Sequence, residues 1–213
     1  MTKIDEARIA IMKTVRDSNP DSYVYVLPNL FTKKMKSFML IREDLNLLIE
    51  VTNRLIYFQN QEPADDILSF ALWQSIIVTY GKCFTENNAG LSKLEKKFLD
   101  ESDPKLQQLH EKLMDLRHSY IAHRDETEKE QALVFLKISK EKEIGEDAEY
   151  LIKSRKLVKP KSDEVIGYLA LFETLKAIVE EKIQKNGEKA HKAFLENLSP
   201  EQVNLLLLNN MKD

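Results

Sequence analysis

HEKLMDLRHSYIAHRDE, residues His110 to Glu126, is the stretch on which the reading of this chain turns. It continues an apolar series begun at Leu106: Leu106, Leu109, Leu113, Leu116, Tyr120, His123, in steps of three, four, three, four and three. That alternation is one stripe of an α-helix, so the segment predicts a helix from Asp103-Pro104, an N-cap and first-turn pair, to about Arg124. A stripe this regular must face apolar partners, and its last member is a histidine.

Working outward, the same period recurs on both sides. Ile4, Ala7, Ile11 and Val15 predict a helix ending near Asn19-Pro20, with Thr2 and Asp5 as a capping box. Ser22 to Phe31 reads as an extended connection in which a short strand would fit. A long helix is expected from Thr32 to Asn60, its stripe Met35, Phe38, Leu45, Leu48, Val51, Leu55 and Phe58. The next helix, with Pro63 in its first turn, carries Ile67, Phe70, Ala71, Gln74, Ile77, Val78, Gly81 and Phe84, while Trp73 and Tyr80 widen that face. Gly81 costs a helix about 1 kcal/mol relative to alanine, which suggests close packing against a neighbour. Glu86 to Ser92 is a loop and Lys93 to Leu99 a short helix. Beyond Asp125, Ala132 to Lys140 and Ala148 to Val158 are β-branched and aromatic around an acidic glycine-containing loop, the pattern of a β-hairpin. A helix follows from 163 to about 196, interrupted near Asn186-Gly187, and Ser199-Pro200 opens a last amphipathic segment.

The fold class is therefore all-α or mainly α, with a small β-hairpin appendage. Only 5 glycines and 6 prolines in 213 residues argue against a turn-rich β architecture, and 43% hydrophobic residues argue against a disordered chain. Three parts are expected: 1–31, a helix and extended connection; 32–196, a helical bundle with the hairpin inserted at 132–158; and 197–213, the C-terminal segment. With 32 basic and 35 acidic residues the net charge of −3 provides no global field for nucleic acid. The local exception is KSRKLVKPK, residues 153–161, in which Lys153, Arg155 and Lys156 are the candidate contacts to RNA phosphates. A single cysteine, Cys83, excludes an intrachain disulfide framework and is read as a small buried hydrophobe. No P-loop, cofactor motif or metal-ligand spacing is present, so no cofactor and no metal are expected. With no secretory leader and no uncharged apolar run near 18 residues, a soluble cytoplasmic protein without membrane contact is expected.

Chemistry concentrates where the stripe ends. Arg117, His118, His123 and Arg124 gather imidazole and guanidinium groups at one helix end, three of the four histidines falling between residues 110 and 123. Imidazole exchanges protons near neutral pH, and guanidinium grips phosphate in a bidentate way. Together they suffice for RNA cleavage without a metal. The histidine removes the 2′-OH proton or protonates the leaving 5′-oxygen, and the arginine neutralises the phosphorane-like charge. In a straight α-helix Arg117 and His123 lie about 120° apart and about 9 Å along the axis, so one helix does not bring both to one atom. A two-fold dimer crossing these helices would supply Arg117 from one chain and His123 from the other. Tyr120 is expected in the core, His110 on an exposed face, and His191 carries no signal.

LRHSYIAHRDE resembles the signature of HEPN domains (higher eukaryotes and prokaryotes nucleotide-binding), in which an arginine precedes a histidine by a short spacer. Here the spacer is His118-Ser119-Tyr120-Ile121-Ala122, and the polar residue that usually follows the arginine is His118. The Ala-His-Arg-Asp continuation is similar to that of bacterial abortive-infection HEPN proteins. The likeness covers roughly residues 32–125. It implies an antiparallel helical bundle, a homodimer through the motif helices and, in many members, metal-independent endoribonuclease activity on RNA in phage defence or a toxin-like setting, restrained by a neutralising protein or antitoxin. Arg117 would then hold the phosphate, His123 act as general acid and base, and His118 support them. The same resemblance also covers catalytically inactive dimers that bind proteins or nucleotides.

Overall fold

The protein is described by a computed structural model over residues 3–22, 24, 29–62, 65–86, 91–121, 131–137, 149–155 and 159–197. Within these lie helices α1 (Lys3–Asp17), α2 (Asn29–Gln59), α3 (Asp66–Phe84), α4 (Pro104–Leu116) and α5 (Ser162–Asn197). They also contain the strands β1 (Gln131–Lys137) and β2 (Glu149–Arg155). A 3₁₀ turn, Lys96–Leu99, stands where a short helix was expected, and α4 runs on into a π-turn over Arg117–Ile121. The molecule is mainly helical, with one small antiparallel hairpin as the composition and strand patterns predict. The residues Pro63, His123 and 198–213 lie outside the described residues.

Two compact units divide the chain: residues 37–182, and residues 1–36 with 183–213. In the second of these, the expected stripe of α1 is not a buried one, for Ile11 and Val15 are exposed. Amphipathic period identifies a helix but does not by itself say what covers it. α2 begins at Asn29 rather than Thr32, so the end of the expected extended connection is already helical. α5 is continuous through Asn186-Gly187, where the sequence predicts a break. A lone glycine costs a helix about 1 kcal/mol, less than a 36-residue helix gains from its remaining turns.

The 37–182 unit holds the large core. Phe38, Ile41, Leu45, Leu48, Thr52 and Leu55 of α2 are buried at steps of three and four, with Thr52 in place of the expected Val51. The Thr52 hydroxyl donates to the Leu48 carbonyl at 2.6 Å, so its burial leaves no orphan donor. From α5 come Val165, Tyr168, Phe172, Leu175 and Val179. α4 adds Leu113 and Leu116, and its Leu109 occupies the space where Gly167 of α5 lacks a Cβ. Caps fix two helix starts. Asp103 accepts from the Lys105 N–H at 2.8 Å ahead of Pro104, as the sequence predicts. Asp65 accepts from the Leu68 N–H at 2.8 Å, and this carboxylate is what caps α3.

α3 differs from expectation in which face it buries. Ser69, Trp73, Ile76, Ile77, Tyr80 and Cys83 are inside, while Ile67 is 86% exposed and Val78 49%. Apolar residues lie on nearly every side of this helix, so its period is ambiguous and the largest rings decide the outcome. Trp73 packs on Tyr168 with ring centroids 5.2 Å apart, and Tyr80 on Phe172 at 5.4 Å. α3 is also long and apolar enough, by length and composition, to cross a membrane, yet here its aromatic face lies in the core of the 37–182 unit.

His110 is buried rather than on an exposed face. Its Nδ1 is 2.7 Å from the Tyr80 hydroxyl, and its ring stands 4.6 Å from that of Phe84. Burial holds the imidazole below its ordinary value near 6.5, and the neighbouring Lys96 charge pushes the same way. The unfolded chain therefore takes up this proton first as pH falls. The stability that His110 contributes is complete above about pH 6.5 and is lost as the pH falls through its lower folded-state value. Urea unfolding followed between pH 8 and pH 5 is expected to show a smaller acid-side loss for His110→Gln than for wild type.

Candidate functional site

The site is built on the turn that follows α4. The Arg117 N–H is shared between the carbonyls of Leu113 and Met114, and the Ser119 hydroxyl donates to the Asp115 carbonyl at 2.6 Å. Past this point the helix widens to π geometry, a departure frequent at functional sites. The α-helical geometry expected for this stretch thus ends at Leu116 among the described residues.

Arg117 is half-buried, and its side chain lies across α3 at Gly81. A Cβ on residue 81 would stand 2.1 Å from Arg117 Cδ, 2.6 Å from Nε and 2.8 Å from Cγ. The close approach that this glycine permits is thus to an arginine stem rather than to helix backbone. Beside it opens a cavity of about 700 Å³. Leu40 and Ile41 of α2, Val78 of α3 and Leu91 form its aliphatic wall, and Arg117 borders it.

The remaining charged groups at the cavity each have an ion-pair partner. Lys82 meets Asp44 at 2.7 Å, Lys93 meets Glu86 at 2.7 Å, and Glu43 takes Arg42 at 2.7 Å. The Lys93 hydrogen bond holds Glu86 below the usual carboxylate range, and Arg42, then Asn46, do the same for Glu43. Among the described residues no acid pairs with Arg117. Cys83 also lines the cavity, but it is buried, and desolvation with the nearby Asp44 charge pushes its thiol up to about 12. It is a packing residue, as its sequence context predicts.

Of the residues singled out in the sequence, Arg117 reaches the cavity. His118 is exposed and does not line it, and Lys153 is exposed on β2, paired in register with Leu133. His123, Arg124, Asp125 and Lys156 lie outside the described residues, as does the side chain of Arg155. Among the described residues no cluster of three histidine, cysteine or acidic side chains is placed to hold a metal ion. Sequence reasoning missed the cavity wall. A signal was Leu40, an apolar residue off the stripe of its helix, whereas Val78 was read as part of the α3 stripe and is exposed at the wall instead. Comparison with protein-family models, with curated proteins and with solved structures found no match to this chain.

Two outcomes are expected. In urea melts, Gly81→Ala should stabilise an Arg117→Ala background by up to about 1 kcal/mol and wild type by less, because the new methyl collides with the arginine stem. Cys83 should resist iodoacetamide at pH 8 in the folded protein and label fully in denaturant, as mass spectrometry would read.

Proposed function

We propose that this chain is a HEPN-like bundle acting as a metal-independent endoribonuclease. The observation that carries the reading is the Arg117 guanidinium, held over Gly81 at the edge of an open cavity with no acid to neutralise it among the described residues. A fixed, uncompensated cation of this kind suits an anionic group from outside the chain. In the proposed reaction a neutral His123 removes the proton from a ribose 2′-OH, and O2′ attacks the adjacent phosphorus. The bond to the 5′-oxygen breaks as that oxygen takes up a proton from an imidazolium. The products are a 2′,3′-cyclic phosphate and a free 5′-OH, and Arg117 offsets the negative charge gathered on the phosphoryl oxygens. His118 supports the pair, and Lys153, Arg155 and Lys156 draw the RNA backbone in. The setting proposed is a cytoplasmic homodimer, toxin-like or in phage defence, restrained by a neutralising protein.

A second reading, a catalytically inactive HEPN-fold dimer that binds a protein partner, is favoured by the hairpin. Val134, Leu136, Tyr150 and Ile152 share one face of it, each more than half exposed. Exposed apolar patches of this kind mark interaction surfaces.

Incubation of a mixed RNA pool with the protein in EDTA separates the two. The enzyme is expected to leave 2′,3′-cyclic phosphate ends, with Arg117→Ala and His123→Ala each slowing cleavage by about 10²–10³. If the arginine and histidine come from facing chains, mixing the two inactive variants should restore about a quarter of the activity, through mixed dimers with one intact site. No cleavage, or equal cleavage by all three proteins, removes the catalytic reading in favour of the binding module.

A further inference from the structure

The cavity beside Arg117 has the size of a small-molecule site and an inner surface that selects for one kind of molecule. Leu40, Ile41, Val78 and Leu91 offer it only aliphatic surface. Two of its hydroxyls are engaged: Ser37 Oγ accepts from the Ser92 N–H at 3.0 Å, and Thr85 donates to the Gly81 carbonyl at 2.7 Å. Glu43, Asp44 and Glu86 are each neutralised by a basic partner. Among the described residues this leaves the Arg117 cation, next to an apolar wall, without an ion-pair partner.

A ligand complementary to this surface has an apolar body and a single negative charge. A carboxylate matches the charge and accepts two parallel hydrogen bonds from a guanidinium. We infer that the cavity binds a small carboxylic acid with an aliphatic or aromatic body, its carboxylate on Arg117 and its body against Leu40, Ile41, Val78 and Leu91. This stands apart from the RNA reading. Where both hold, the acid occupies the guanidinium that the cleavage reaction uses and so inhibits it.

Calorimetric titration of the full chain with 2-naphthoate, beside 2-naphthylmethanol and inorganic phosphate, tests the inference. Saturable one-to-one binding of naphthoate is expected, at least tenfold tighter than either the neutral alcohol or phosphate. Arg117→Gln should weaken it at least tenfold. Leu40→Glu, which sets a like charge at a wall position 56% exposed and so spares the core, should do the same. Ile152→Glu on the hairpin should leave the affinity unchanged. The inference is overturned if naphthoate fails to bind at millimolar concentration, if the alcohol or phosphate binds as tightly, or if the affinity survives Leu40→Glu. Should Arg117→Gln lose its helical circular dichroism, the Leu40→Glu result decides. Naphthoate binding without RNA cleavage leaves this inference standing and removes only the ribonuclease; cleavage without naphthoate binding does the reverse.

Discussion

Tyr80 and His110 each carry a polar atom into an aromatic core, and each satisfies the other. Two such groups buried without a partner would cost about 1–3 kcal/mol apiece, so the core forms with its full stability only when α3 and α4 meet in the register that joins them. Phe84 and Phe172 close around the pair and keep water out. The same register brings the turn after α4 over the residue that follows Tyr80 in sequence. That residue is Gly81, and its missing Cβ leaves the groove in which the Arg117 stem lies. The cavity border therefore depends on a hydrogen bond whose own atoms take no part in the site.

The electrostatics of the cavity follow from this placement. Its exposed ion pairs contribute little stability, about 0–1 kcal/mol each at the surface. Among the described residues they occupy Glu43, Asp44 and Glu86, the acids at the cavity, so that none of these pairs with Arg117. Among the described lining residues Arg117 is then the charged group without an ion-pair partner.

How much of this was legible in the sequence varied with the physics of each element. The stripe from Leu106 to Leu116 and the Asp103-Pro104 start are local signals, and both read correctly. Leu45, Leu48 and Leu55 were equally plain, since they fall at steps of three and seven along one helical face. α3 was not, because a helix apolar on most sides has no single face to read, and only the partners Tyr168 and Phe172 select Trp73 and Tyr80. His110 was misassigned to solvent for a related reason: a histidine's burial depends on a hydrogen-bond partner thirty residues away in sequence. Gly81 signalled close packing but not with what. Arg117 was found from its neighbours in sequence, while the cavity it borders comes from three separate segments and has no sequence period. The expected partnership of Arg117 with His123 involves a residue outside those described.

The hairpin has a consequence for how the chain is made. β1 and β2 pair along seven residues each and are neighbours in sequence, so their contacts are local and their closure fast, on the order of microseconds. Both strands precede α5 in sequence, and during synthesis they emerge before the helix that completes the core. A chain still on the ribosome can thus display Val134, Leu136, Tyr150 and Ile152, together with open strand edges, to identical chains growing beside it on the same message. Lys137 and Glu149 bond across the loop end of the hairpin at 2.8 Å and put charge at that end, where it works against strand-to-strand stacking. The middle of the hairpin carries no such charge on the face of Val134, Leu136, Tyr150 and Ile152, so what keeps that face from pairing with a copy of itself is the time for which it stays uncovered.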